Sequence, residues 1–109
     1  MAYDELLAGR IRAMLEPIPG LVEKKMFGGV GFILAGNMAC GINGPDLIVR
    51  VGPQEYDQIV QQPGVRVFDL TGRTMRGWVV VNPEAYPSEE ALRAWVERGM
   101  AFAASLPPK

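Results

Sequence analysis

The sequence predicts a single α+β domain, in which an antiparallel sheet carries helices on one face. Three observations predict it. The chain has 109 residues, a common size for one domain with one core. Its apolar residues switch between helical spacing and runs rich in β-formers. The predicted strands come in hairpin-connected groups and never alternate singly with helices. The predicted order is helix, three or four strands, helix, two strands, helix.

The first helix is predicted over Tyr3–Ile18. Its apolar residues fall three and four positions apart and form one stripe. Asp4 and Glu5 place negative charge at the start of the helix, where the helix dipole favours it. Pro17 and the residues after it end the element. We therefore expect a helix that packs on the sheet.

The predicted N-terminal strands form an antiparallel meander. Gly28 and Gly29 permit a turn or bulge after the first strand, because glycine adopts positive φ without strain. Gly36-Asn37 and the turn at Asn43–Asp46 supply the next two reversals. The second run is apolar on both of its alternating sides. The predicted strands are Leu21–Phe27, Val30–Ala35, Met38–Asn43 and Leu47–Val51.

The C-terminal half begins with a helix of about ten residues, predicted from the helical spacing of Tyr56, Ile59 and Val60. Pro53 suits its first position, and Gln62-Pro63-Gly64 ends it. A second hairpin joins Val65–Leu70 to Gly77–Asn82 through residues 71–74. Ser88 is predicted to cap the last helix, whose buried stripe comprises Leu92, Trp95, Val96, Gly99 and Ala103.

Composition and charge exclude several classes of protein. The formal net charge is −1, from 11 basic and 12 acidic residues, so the whole chain supplies no field that would attract it to nucleic acid or anionic lipid. The single cysteine excludes an internal disulfide and a multi-cysteine zinc site, and it fits a reducing compartment. No apolar run approaches the length of a membrane span. We expect a cytoplasmic protein that does not bind membranes.

The residues give no catalytic, metal or cofactor constellation. Histidine is absent, which removes the commonest general base and metal ligand. Cys40 lies within a predicted apolar strand and is interpreted as a buried structural thiol. Gly28–Gly31 precedes a strand, whereas a phosphate loop precedes a helix and is followed by Lys and Ser/Thr. No cofactor is expected. A catalytic site assembled only in three dimensions is the remote alternative.

The basic residues of the sheet-forming part could face an anionic partner. If they project from the face that the helices leave uncovered, they form a basic platform for an acidic protein or for phosphate. Phe32, Phe68 and Trp78 could then stack on bases, although core packing is the favoured explanation for them. The candidate partner-binding residues are Lys24, Lys25, Arg50, Arg66, Arg73 and Arg76.

Five segments carry a family resemblance. They are Lys24-Lys25-Met26-Phe27-Gly28-Gly29-Val30-Gly31, Gly36-Asn37-Met38-Ala39, Leu47–Val51, Gly77-Trp78 and Trp95-Val96. With these segments the sequence resembles the N-terminal domain family of the bacterial competence regulator TfoX, also called Sxy. The resemblance covers about Tyr3–Ala104, and its structural signature comprises Met26, Phe27, Gly28, Gly29, Gly31 and Trp78.

The resemblance implies a two-layer α+β fold and a bacterial, cytosolic, non-enzymatic domain that regulates transcription of DNA-uptake genes together with other regulators. Longer members continue into a second, helical domain, so we expect a stand-alone single-domain member spanning residues 1–109. The family usually has lysine at the position of Arg50, a change that keeps the charge but alters the hydrogen-bonding geometry.

Two functional hypotheses follow besides the enzyme. The first is a regulatory domain whose protein partner, such as a transcription regulator, docks on an exposed sheet face or edge. The second is a nucleic-acid-binding module that uses the basic residues of the sheet. An unpaired edge strand also favours a homodimer.

Overall fold

The computed structural model describes residues 3–26, 28–70 and 72–109, and for positions 26, 70 and 73 it describes the backbone only. It confirms the α+β class and the predicted element order, with four strands before the short helix. The elements are α1 (Glu5–Leu15), β1 (Leu21–Met26), β2 (Gly29–Leu34), β3 (Asn37–Asn43), β4 (Asp46–Arg50), α2 (Tyr56–Ile59), β5 (Val65–Leu70), β6 (Arg73–Val81), a 3-10 turn (Pro83–Ala85) and α3 (Glu89–Ala104).

The six strands form one antiparallel sheet in the order β1-β2-β3-β4-β6-β5. The first four strands follow one another as a meander, and β6 then pairs between β4 and β5. Strands β1 and β5 are therefore the two edges of the sheet.

The helices lie on one face of the sheet, which we name the helix face. Residues directly opposite each other on paired strands share a face, so the register assigns Phe32, Cys40, Val49 and Val79 to the helix face. All four side chains are fully buried in the core, together with the inner stripes of α1 and α3. We name the opposite side of the sheet the open face.

The two long helices begin at side-chain caps. The Asp4 carboxylate accepts a hydrogen bond from the Leu7 backbone N–H at 3.0 Å, and the Ser88 hydroxyl accepts one from Ala91 at 3.1 Å. The prediction for Ser88 is thus confirmed. The predicted stripe of α3 is also confirmed, since all five of its residues are buried.

Helix α3 approaches β3 very closely at Gly99. A Cβ built on Gly99 would lie 2.4 Å from the backbone oxygen of Ala39 and 3.4 Å from Cγ1 of Val49. Only a residue without a side chain fits this crossing. Gly9 in α1 has nothing within 4 Å of its corresponding position.

Several predicted element limits are wrong. Helix α1 begins after Tyr3 because Asp4 caps it, and it ends before Pro17 because proline has no backbone N–H to continue the helical hydrogen bonds. Helix α2 is one turn instead of about ten residues, and it has no side-chain cap. The β2–β3 turn is Ala35-Gly36, at φ 50° and 85°, so Asn37 already belongs to β3.

Strand β6 begins at Arg73, four residues before its predicted start at Gly77. The register of β5 with β6 shifts between Val67 and Asp69, and Gly77 has a φ of 96° at this irregularity. Its carbonyl oxygen accepts hydrogen bonds from the N–H groups of Val51 and Gly52. Gly77 is thus a bend inside a strand, where the sequence pattern indicated a beginning.

Candidate functional site

The open face carries two rows of side chains that run across the sheet. The register places Lys24, Gly31, Gly41, Ile48, Val80 and Arg66 opposite one another, and we name them the glycine row. Beside it, Val22 lies opposite Ile33, Ile33 opposite Met38, and Arg50 opposite Trp78. We name these five residues the apolar row, although one of them, Arg50, is charged. Among the described residues, α3 reaches the apolar row at Arg50, through the side chain of Phe102.

The glycines of the first row make room for Met38. A Cβ built on Gly41 would lie 2.7 Å from Cε of Met38, 2.7 Å from the backbone oxygen of Val30 and 3.3 Å from Cα of Gly31. The methionine side chain therefore lies flat over the paired glycines. Thioethers are flexible and polarizable, so Met38 gives this part of the open face an adaptable apolar surface.

Ile48 and Val80 form the apolar centre of the glycine row. They are only 3% and 2% exposed, yet neither belongs to the core beneath the helices. They line a depression of about 380 Å³, together with Asn43, Asp46, Arg66, Val67, Phe68 and Asp69. This depression therefore has a floor of two buried apolar residues and a mainly polar wall.

Arg50 lies between two aromatic rings. Its guanidinium carbon is 5.1 Å from the centroid of Trp78 and 5.2 Å from that of Phe102, which reaches it from the C-terminal end of α3. Its Nη1 donates a long hydrogen bond of 3.4 Å to the carbonyl of Met38. Partial burial lowers the pKa of Arg50. Among the described residues, no carboxylate forms an ion pair with it.

Four other arginines do have carboxylate partners. Arg66 pairs with Asp46 at 3.0 Å, and Arg76 pairs with Asp57 at 2.9 Å. The remaining two pairs are Arg10–Glu89 and Arg12–Glu23. Because a paired guanidinium presents little net charge to a ligand, Arg50 differs from these four in having spare N–H donors.

The six predicted partner-binding residues do not form one platform. Lys24, Arg50 and Arg66 lie on the open face, Lys24 at one end of the glycine row and Arg66 at the other. Lys25 lies opposite Val30 and so belongs to the helix face. Arg76 reaches α2, where it also stacks 5.1 Å from the ring centroid of Tyr56. For Arg73 only the backbone is described.

The predicted signature serves mainly as packing. Gly28 has a φ of 73° in the β1–β2 turn. A Cβ on Gly29 would lie 1.8 Å from the backbone oxygen of Ile42, so no side chain fits there. Gly31 belongs to the glycine row and Trp78 to the apolar row. Phe27 lies outside the described residues, as does the side chain of Met26.

The three aromatic residues considered for base stacking lie on different faces. Phe32 is completely buried on the helix face, whereas Trp78 and Phe68 lie on the open face. Sequence reasoning missed Met38, Ile48 and Val80 as surface-forming residues. The signal was available, because a strand that is apolar on both alternating sides predicts two apolar faces and the helices cover only one.

Catalytic chemistry has no evident centre in the part of the chain that the structure describes. Burial raises the pKa of the Cys40 thiol to about 12, so its nucleophilic thiolate is scarce near neutral pH. No group of three or more histidine, cysteine, aspartate or glutamate residues among those described could hold a metal ion. Nor is any helix in the described ranges long and apolar enough to span a membrane.

These features define a class: a small two-layer α+β domain whose described helices lie on one face of a six-stranded antiparallel sheet. More specifically, the chain belongs to the TfoX N-terminal domain family, whose profile matches residues 13–103. The resemblance seen in the sequence is thus confirmed. Comparisons with curated proteins and with solved structures gave no significant match.

Proposed function

We propose that this chain is a small, non-enzymatic regulatory domain that acts by binding another protein across the open face. The partner segment presents apolar side chains to the apolar row and a carboxylate to Arg50. The observation that carries the proposal is the apolar row itself, which contains Arg50, a guanidinium that pairs with no carboxylate among the described residues.

Two physical arguments support this partner chemistry. Val22 is 56% exposed, and together with Ile33 and Met38 it gives a strip of apolar surface whose burial would favour association. A guanidinium held between two rings is already ordered, so it loses little conformational freedom when it binds a carboxylate. Membership of the TfoX N-terminal domain family supports a regulatory role, and transcription of DNA-uptake genes is the process that we propose first.

The charge pattern favours an acidic protein over nucleic acid. Nucleic-acid affinity depends on several unpaired cations that each contact a phosphate. On the open face, however, Arg66 is already paired with Asp46. Of the described cations on this face, Lys24 on edge strand β1 and Arg50 on inner strand β4 are left, three strands apart. This pair suits one or two carboxylates better than a phosphate backbone.

The experiment is site-directed photo-crosslinking in a bacterial lysate. A photoreactive residue replaces Met38 on the open face or, as a control, Leu6, an 84% exposed apolar residue on α1. We expect a discrete protein adduct from position 38 that is absent from position 6. Identical adducts at both positions, or an adduct that nuclease removes, would contradict the proposal.

A charge reversal then tests whether Arg50 binds a carboxylate of the partner. Arg50→Glu should weaken binding of the captured partner about tenfold or more, because a charge-assisted hydrogen bond contributes roughly 1.5–3 kcal/mol. Arg93→Glu is the matched control, an exposed arginine on α3. Equal affinities of the two variants would eliminate Arg50 as the anchor.

A further inference from the structure

Strand β1 is an edge strand, and its outer backbone groups have no hydrogen-bond partner among the residues that the structure describes. In an antiparallel ladder, successive residues direct their N–H and C=O groups alternately toward and away from the neighbouring strand. The Gly20 carbonyl accepts a hydrogen bond from the Ala35 N–H at 3.3 Å, so Gly20 is directed toward β2. The backbone groups of Leu21, Glu23 and Lys25 consequently point away from the sheet.

The other edge of the sheet is less regular. The pairing of β5 with β6 is broken between Val67 and Asp69, and such irregularities protect an edge from further pairing. The β1–β2 register, in contrast, runs without interruption from Leu21 to Met26. Of the two edges, β1 is the better template for an additional strand.

We propose that two copies of this chain pair antiparallel along β1, with the two-fold axis perpendicular to the sheet at Lys24. The β1 strands then join two six-stranded sheets into one. Glu23 of each copy lies opposite Lys25 of the other, and their outward N–H and C=O groups form four backbone hydrogen bonds. This interface involves the edge of the sheet and does not depend on the open face.

Charge complementarity selects this register. Glu23 and Lys25 lie on the same face, opposite Phe32 and Val30, so a two-fold axis at Lys24 brings two opposite-charge pairs together on the helix face. An axis at Glu23 would oppose the two glutamates, and an axis at Lys25 would oppose the two Lys25 side chains. The two Lys24 side chains do face each other, but they are long, exposed and able to diverge into solvent.

Glu23 can keep its existing partner in the dimer. Arg12 donates from Nε and Nη2 to the two carboxylate oxygens of Glu23, each at 2.6 Å. An ionised carboxylate has about four acceptor positions, so two remain for Lys25 of the second copy. The pairing would therefore extend an ion pair already present at this edge into a network of Arg12, Glu23 and the second copy's Lys25.

Single cysteines test the register directly. Residues opposite each other in a pair without backbone hydrogen bonds have Cα atoms about 4.5 Å apart, within the range that a disulfide spans. Lys24→Cys should therefore form a covalent dimer under mild oxidation. In the control Val22→Cys, the two Cα atoms would be separated by about 13 Å along the strands. The native Cys40 is buried and does not compete.

Proline variants test the edge without disturbing the sheet. Because the Lys25 N–H points outward, Lys25→Pro leaves the β1–β2 ladder intact but removes a donor at the interface. At the start of β5, the Asn82 N–H donates a hydrogen bond to the Gly64 carbonyl, so Gly64 is directed toward β6. Because backbone direction alternates along a strand, the Val67 N–H points outward. Val67→Pro is therefore the matched control. Sedimentation equilibrium should give a dimer for wild type and Val67→Pro and a monomer for Lys25→Pro.

Charge-reversal variants test the same interface if a proline variant fails to fold. Glu23→Lys and Lys25→Glu should each raise the dissociation constant of the dimer at least tenfold, and the double variant should restore it. A monomeric wild-type chain, or Val22→Cys that crosslinks as readily as Lys24→Cys, would overturn the proposal. Loss of the dimer would leave photo-crosslinking at Met38 unaffected, so the two proposals fail separately.

Discussion

Replacing Gly99 by alanine should destabilise the domain, although alanine has a higher helix propensity than glycine. The added Cβ would lie 2.4 Å from the backbone oxygen of Ala39, about 1.0 Å inside an ordinary contact, and a backbone atom cannot rotate away. Helix α3 must therefore move off β3, and overpacking of this kind costs about 1–3 kcal/mol. We take the upper end of that range, because the obstacle is the main chain.

The helix propensity of alanine offsets part of this cost, by about 1 kcal/mol in a helix interior. We therefore expect Gly99→Ala to lower the free energy of unfolding by about 2 kcal/mol. Gly9→Ala is the matched control, because Gly9 lies inside α1 with nothing within 4 Å of the new atom. It should raise the free energy of unfolding by about 0.5–1 kcal/mol.

Urea unfolding followed by circular dichroism measures both variants. A difference of about 3 kcal/mol between them is expected, with unchanged m values. A Gly99→Ala variant as stable as Gly9→Ala would refute the reasoning, because it would mean that α3 does not approach β3 as closely as the structure describes.

Two further predictions concern titratable groups. Cys40 should resist alkylation at pH 8 and react fully in denaturant. Because its folded pKa of about 12 exceeds the ordinary value of 9.0, stability should decline as pH rises above 9, and Cys40→Ala should lessen that decline and leave the part due to Tyr86, whose pKa burial also raises. At Glu23, the hydrogen bond from Arg12 lowers the pKa below 4.5, so the pair stabilises the fold above pH 4.5 and loses its effect as pH falls through the folded pKa. The deficit of Arg12→Gln relative to wild type, under about 1 kcal/mol for an exposed pair, should shrink as pH falls below 4.5, and a deficit that does not change with pH would contradict this cause.

The sequence predicts the class and order of the elements because apolar periodicity and turn residues are local signals. Helix α3 is the clearest case, with Ser88 as its cap and a regular stripe from Leu92 to Ala103. The predicted limits of the elements were wrong where a contact between residues distant in sequence determines them. Gly77 bends within β6 because its carbonyl bonds to Val51 and Gly52, and nothing near Gly77 in the sequence indicates that contact.

The surface was only partly predictable for the same reason. The sequence locates basic residues on strands but not the carboxylates that pair with them. Arg66 and Asp46 are 20 positions apart, and Arg76 and Asp57 are 19 apart. Only the pairing of the strands and the position of α2 bring them together. The contrast between these arginines and Arg50 is therefore visible in the structure alone.

Because α3 follows all six strands in the sequence, its position has a consequence for biosynthesis. Strands β1 to β4 are complete once residue 50 has been made, but α3, which covers β3 and β4, is complete only at Ala104. Until then the apolar side chains of Phe32, Cys40 and Val49 lack their cover. A nascent chain that lacks α3 therefore exposes these apolar side chains, as aggregation-prone folding intermediates do. The domain completes its core only once α3 has been synthesised.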